Sequence, residues 1–321
     1  MLPLFLILGC GGDIRTDSQI PSTDPAAEAD TDTDTDTDMD TDTDTDTDTD
    51  TDTDTDTDTN GDAIDYRTAG PYGIEQWGES YTINGCAMDV SFFSPTGVSG
   101  APLVVLSHGF ARSATQMEGW AAAFAAWGVT VAVPSLCHSS FTDVDHEANG
   151  QDLATLVGVL GLGDAIYMGH SAGGLASLVA AAEDSNAVAV VGLDMTDADG
   201  IGDRAAVSIS APVYALVGEP SSCNSNGNGV DVYQGLSTAS MVQITDSDHC
   251  DFENETDWLC TWFCPAGGGG FSDSAIQQTI SALSIAALME ALGEEPVPGA
   301  WWAEGGVYYD ALIQSGAIVE L

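Results

Sequence analysis

Hydrophobic and polar positions divide the chain into three stretches of different character. A short apolar run, residues 2–8, opens it. Residues 11–62 then offer almost nothing to bury, so no core offsets the entropy cost of ordering them. From residue 63 onward, short apolar runs recur at 103–106, 129–133, 165–168, 187–193 and 213–217. Unbroken runs of this length suit strands buried on both faces of a parallel sheet. Between them, residues 115–127, 151–160 and 172–182 read as helices. Alternating strands and helices predict an α/β fold, a mostly parallel central sheet flanked by helices. Ahead of these units, residues 81–83 and 87–93 bracket Asn84-Gly85, the signature of a hairpin with a type I′ turn. A later strand is expected over 240–245. Residues 274–292 place Ile276, Ile280, Leu283, Ala287 and Leu288 on one helical face. Residues 294–321, with Trp301, Trp302, Tyr308 and Tyr309, show no clear period and are assigned to covering a sheet edge.

Charge sharpens the division. Residues 30–59 alternate Asp and Thr, broken only by Met39, and hold 15 of the 51 acidic residues. The remaining 36 face four Arg and no Lys, and the net charge is −47. Such a chain repels nucleic acid and anionic lipid headgroups. Without Lys, Schiff-base chemistry and a Walker A phosphate loop are excluded. Like charges two residues apart extend the Asp/Thr run, which reads as a solvated spacer. Loose Ca²⁺ binding or Thr glycosylation is the lesser reading, and no calcium-loop motif with its Gly turn is present.

Seven cysteines occur, at 10, 86, 137, 223, 250, 260 and 264. The last six suit up to three disulfides in an oxidising compartment, among 15 possible pairings. No Cys-x2-Cys pair points to structural zinc.

The chemistry concentrates at Gly169-His170-Ser171-Ala172-Gly173-Gly174, between an apolar run and an Ala-rich helix. Gly-x-Ser-x-Gly in that context matches a nucleophile elbow, a sharp strand-to-helix turn that lifts the serine hydroxyl into open space. Ser171 is the candidate nucleophile. The amide of Ala172, at the helix N-terminus, is a candidate oxyanion donor. Ser107-His108-Gly109-Phe110 follows the run at 103–106 and offers the amide of Phe110 as the second donor. His108 stands just before that loop, which argues against its being the base. His138 and His146, near Asp143 and Asp145, read as polar rim residues, with metal binding the lesser reading. Phe110, Met117, Trp120, Phe141 and Met195 are the expected substrate rim, suited to apolar acyl or aromatic groups.

Residues 80–290 resemble the chlorophyllase, dienelactone-hydrolase and platelet-activating-factor-acetylhydrolase group of α/β-hydrolases, with cutinase-like polyesterases as near relatives. The resemblance rests on His108-Gly-Phe, on Ala126-Trp-Gly-Val-Thr-Val-Ala-Val-Pro134 and on the turn at 169–174. It implies the α/β-hydrolase fold and a Ser-acid-His triad. The chlorophyllase and acetylhydrolase branch places the acid at Asp194. The polyesterase branch takes it from the next strand end, where this chain offers Glu219, with Asp231 further on. The base follows in the order Ser, acid, His, and His249 is the one histidine beyond Asp194.

Ile7-Leu8-Gly9-Cys10 resembles a bacterial lipobox, which implies cleavage before Cys10 and lipid attachment to its sulfur. The apolar run is shorter than the about 20 residues of a membrane span and has no Lys or Arg before it.

The expected organisation is therefore a signal peptide and lipobox at 1–10, a disordered linker at 11–62 and a hydrolase domain at 63–321. The expected function is cleavage of a small-molecule or polymeric carboxylic ester through an acyl-enzyme, by a monomer without cofactor or metal. The site is expected outside the cytoplasm, lipid-anchored at the cell envelope or secreted free, touching membrane through the N-terminal lipid only. Acyl transfer, lactone opening or amide cleavage at the same triad are the alternatives, as is an inactive surface-binding lipoprotein.

Overall fold

The structure, a computed structural model, describes residues 62–264 and 269–321. Cys10, the expected signal and the Asp/Thr run lie outside the described residues.

Two long strands open the described chain. β1 (Ile74–Ile83) and β2 (Cys86–Pro95) pair antiparallel around Asn84 and Gly85, which carry φ 48° and 90°. Positive φ at both central turn positions is what a type I′ turn requires, and Gly85 meets it without strain. β1 begins at Ile74, well before residue 81, paired with β2 along its whole length; its first seven residues are exposed and carry no alternation to read.

The βα units follow. In chain order they are β3 (Leu103–Ser107), α1 (Glu118–Ala125), β4 (Thr130–Pro134), the two-residue strands β5 (Ser139–Ser140) and β6 (Asp143–Val144), and α2 (His146–Leu160). Next come β7 (Ala165–His170), α3 (Ala172–Glu183), β8 (Ala187–Leu193), α4 (Ile201–Ala206), β9 (Val213–Val217) and α5 (Gly229–Gln234). β10 (Ala239–Ile244), α6 (Trp258–Phe263), α7 (Asp273–Leu292), α8 (Val307–Ser315) and β11 (Ile318–Glu320) complete the described chain. α2 starts five residues before the predicted position. Its first turn is polar, and Asp145 caps it by accepting from the Ala148 amide at 2.9 Å.

One sheet has the order β1-β2-β4-β3-β7-β8-β9-β10-β11. The run from β4 to β10 is parallel, and the pairs at both margins are antiparallel. Chain order reverses between β3 and β7, the point where ligands gather in open α/β sheets. Strand alternation splits the core in two. Val104 and Leu106 face one layer with Phe124 of α1 and Ile280 and Leu283 of α7. Leu103 and Val105 face the other, with Leu153 of α2, Leu175 of α3 and Tyr233 of α5. α7 is long and apolar enough to cross a membrane, but its apolar residues are buried in the first layer.

The C-terminal segment covers the sheet edge and also enters the core. β11 pairs with β10, while Trp301 and Trp302 are buried. Their indole N–H groups donate to the carbonyls of Ile64 and Leu283 at 2.9 and 3.1 Å. Tyr66 donates to Glu295 at 2.6 Å, so the two ends of the described chain lock together. Disulfides join Cys86 to Cys137, Cys223 to Cys264 and Cys250 to Cys260. Three such bonds fit an oxidising, extracytoplasmic environment.

Because Trp301 is buried with its polar atom satisfied, truncation leaves both a cavity and an unpaired carbonyl. We predict that Trp301→Ala lowers unfolding free energy by about 3–5 kcal/mol in denaturant titration. A loss below about 1 kcal/mol would show that this segment does not belong to the core.

Candidate active site

β7 ends at His170, α3 begins at Ala172, and Ser171 makes the corner with φ 56° and ψ −124°. A non-glycine residue holds such angles only where its surroundings over-determine them. The glycines provide that setting. A Cβ on Gly169 would run into the backbone of Gly173, and one on Gly173 would run into the carbonyls of Ser107, the last residue of β3, and His108 just after it. The Ser171 amide donates to Leu193 O at 3.0 Å, and its carbonyl accepts from Gly174 and Leu175. Its hydroxyl does not cap the helix. Ser171 instead borders a cavity of about 480 Å³, together with Gly109, Phe110, Ala172 and His249.

Asp194 and His249 meet beside it. Asp194 follows β8 with φ 44°, and its amide donates to Leu216 O at 2.7 Å. His249 opens a short 3-10 helix, His249–Phe252, capped by Asp248. Its Nδ1 lies 2.5 Å from Asp194 Oδ2, and both side chains are buried. Asp194 also accepts from the Gly218 amide at 2.9 Å and from Asn224 Nδ2 at 3.2 Å. With Asp194 accepting from Nδ1–H, Nε2 is left as the basic nitrogen. The carboxylate joined to His249 is thus Asp194. Glu219 accepts from Gln243 instead, and Asp231 lies in the first turn of α5.

The other histidines serve different ends. Leu136 N–H donates to His108 Nε2 at 3.0 Å, so the proton sits on Nδ1, which donates to Gly109 O at 2.8 Å. Burial pushes the pKa of His108 down to about 4. His170 is buried, its ring centroid is 4.4 Å from that of His249, and burial holds it well below the usual histidine range. His138 pairs with Asp143 at 3.1 Å outside the cavity, whereas His146 lines it. The sulfurs of Cys250, Cys260 and Cys264 lie within 4.8 Å of one another, but all three are in disulfides and none is a free thiolate.

The rim differs from expectation. Phe110 and Phe141 border the cavity with their rings edge to face at 5.1 Å, and Phe141 is 83% exposed. Met117, Trp120 and Met195 are buried in the core instead. Residues 114–117 form a 3-10 turn that brings Met117 inward, and Trp120 donates to Phe252 O at 3.0 Å. Met195 packs against Gly174 and Gly229 behind the turn. Phe263 and the disulfide residues Cys223, Cys260 and Cys264 supply lining that the sequence did not reveal. Asn224, which steadies Asp194, carried no signal in the sequence. Arg112, also in the lining with Glu253, had one: it is one of only four arginines in a chain without lysine.

Neither family models nor curated proteins match this chain, so the functional reading rests on the geometry of the site.

His108 makes a specific pH prediction. The unfolded chain takes up this proton near pH 6.5 while the fold resists it to about 4, so acidification across that window costs stability. Denaturant titrations of parent and His108→Asn should show the parental advantage at pH 7 shrinking by up to ~3 kcal/mol at pH 4. Parallel stability curves for the two proteins would contradict the assignment.

Proposed function

We propose that the chain is a secreted serine hydrolase of the α/β-hydrolase fold that cleaves carboxylic esters. The observation that carries this reading is the 2.5 Å bond from buried Asp194 to His249, which lines one cavity with Ser171 at a strained strand-to-helix corner. The parallel strands end on that side, at the reversal of chain order, as a nucleophile elbow requires.

The mechanism follows from the groups. His249 Nε2 takes the Ser171 hydroxyl proton as the oxygen attacks the ester carbonyl. Asp194 holds the tautomer and stabilises the imidazolium that forms. Negative charge on the tetrahedral oxygen is met by the Phe110 and Ala172 amides; a single donor of this kind is worth ~10²–10³ in rate. His249 returns the proton to the leaving alcohol. Water, deprotonated by the same imidazole, then releases the acid from Ser171.

The cavity wall favours an uncharged substrate. Phe110, Phe141 and Phe263 are apolar, and the guanidinium of Arg112 is committed to Glu253 and Asp257. The acidic protein also repels anions. Within this proposal the domain is monomeric, acts on a small or polymeric ester, and is held at the cell envelope by a lipid on Cys10 through the Asp/Thr-rich spacer.

Ser171→Ala should reduce turnover of a p-nitrophenyl short-acyl ester by about 10³-fold or more and abolish labelling by a fluorophosphonate probe. Asp194→Asn should cost a similar order through the wrong imidazole tautomer. An intact protein that hydrolyses no ester in a broad panel and takes no label would refute the proposal.

A further inference from the structure

Arg112 stands two residues beyond Phe110, and Glu253 stands four beyond His249; both border the cavity. They join the segment after β3 to the segment after β10. Arg112 Nε donates to Glu253 Oε1 and Nη2 donates to Oε2, each at 2.6 Å, a parallel two-bond fork. Thr256 donates to the same carboxylate at 3.2 Å, and Asp257 takes the outer side of the guanidinium at 3.0 Å. The Arg112 and Glu253 side chains are only 10% and 1% exposed.

Neutral bonds already dock the flanking residues. Asn254 N donates to Gln116 O and Gly119 N donates to Asn254 O, both at 2.8 Å. Along the chain, the charged fork is the tie nearest Phe110 and His249. Its placement is selective. Among the described residues, Arg67 and Arg204 pair at the surface and only Arg112 has a largely covered side chain. Burying two ions is costly, and well-packed apolar residues would stabilise a fold as well or better. Stability alone therefore does not account for a fork beside the site. Glu253 also lies 3.9 Å from His170 Nδ1, and the His170 ring packs on His249, so the carboxylate backs the layer on which the imidazole rests.

We propose that Arg112 and Glu253 are positioning residues that fix the spacing between the Phe110 amide and the His249 imidazole. The inference rests on the hydrolase reading above. A fork sets two distances at once, which a lysine's single ammonium cannot do. Misplacing the oxyanion donor raises the barrier to chemistry and leaves binding of the ground-state ester largely intact.

The test compares the parent with Arg112→Lys and with the double variant Arg112→Met/Glu253→Gln, which removes both charges together. Each is assayed for kcat and KM on p-nitrophenyl butyrate, for fluorophosphonate labelling rate at Ser171 and for thermal unfolding. The expected double variant unfolds close to the parent, keeps KM within about threefold and loses kcat by about tenfold or more, with labelling slowed alike. Arg112→Lys should fall between the two, and it decides the matter if the double variant does not fold. Parental kcat in either folded variant overturns the inference and leaves the hydrolase reading standing. A parent with neither turnover nor label overturns both.

Discussion

The close approach of β3, β7 and the head of α3 is the constraint on which the rest of the structure depends. At Gly169 and Gly173, a single added carbon would collide with backbone on the facing segment. That lack of space sets Ser171 at its unusual angles, since the chain must leave the sheet and enter a helix within one residue. It also places the loop from His108 to Arg112 directly beside the corner, because Ser107 pairs with Gly169 across the two strands. The remaining members arrive from other strand ends, Asp194 after β8, the neighbour of β7, and His249 after β10, two strands further along the sheet. Parallel strands deliver their following loops to the same end of the sheet, which brings these residues close before any side-chain contact refines their spacing.

Buried polar groups at this end are satisfied in tiers. Asp194 accepts from a backbone amide, an asparagine and an imidazole, so its lone pairs are taken up by donors of fixed direction. Below the site, His108 acts as a neutral bracket between Leu136 and Gly109, a role that only a deprotonated ring can fill. Beside it, Arg112 and Glu253 confine their charges to each other and to Thr256 and Asp257. An intensely acidic protein thus keeps an apolar cavity open over a few polar atoms.

The layout of the sheet was legible in the sequence because buried parallel strands are unbroken apolar runs, and the five predicted runs each became a strand. Ser171 was legible through its local motif and His249 through chain order, whereas Asp194 was implied only by the family resemblance beside Glu219 and Asp231, and the hydrogen bond is what joins it to His249. What escaped was set by tertiary packing. Met117 and Trp120 look like rim residues by position, but the 3-10 turn that brings Met117 inward and the α1 face that buries Trp120 leave no clear trace in the sequence. The wall formed by Phe263 and its neighbouring cystines depends on pairings among six cysteines that spacing does not choose. β1 escaped in part because an exposed strand lacks the alternation that a half-buried one shows.

The two margins of the sheet meet water differently. At one, three residues of β11 lie along β10, so the outermost strand is very short. At the other, β1 offers ten residues with an open row of backbone donors and acceptors, next to exposed Ile74 and Trp77. An edge of that length is a template for another molecule's strand. Glu75 and Glu79 stand along it, and a second copy docking edge to edge would bring its own glutamates against them. Among the described residues β1 is the long open margin of the sheet, and like charges along it disfavour strand pairing between two copies there.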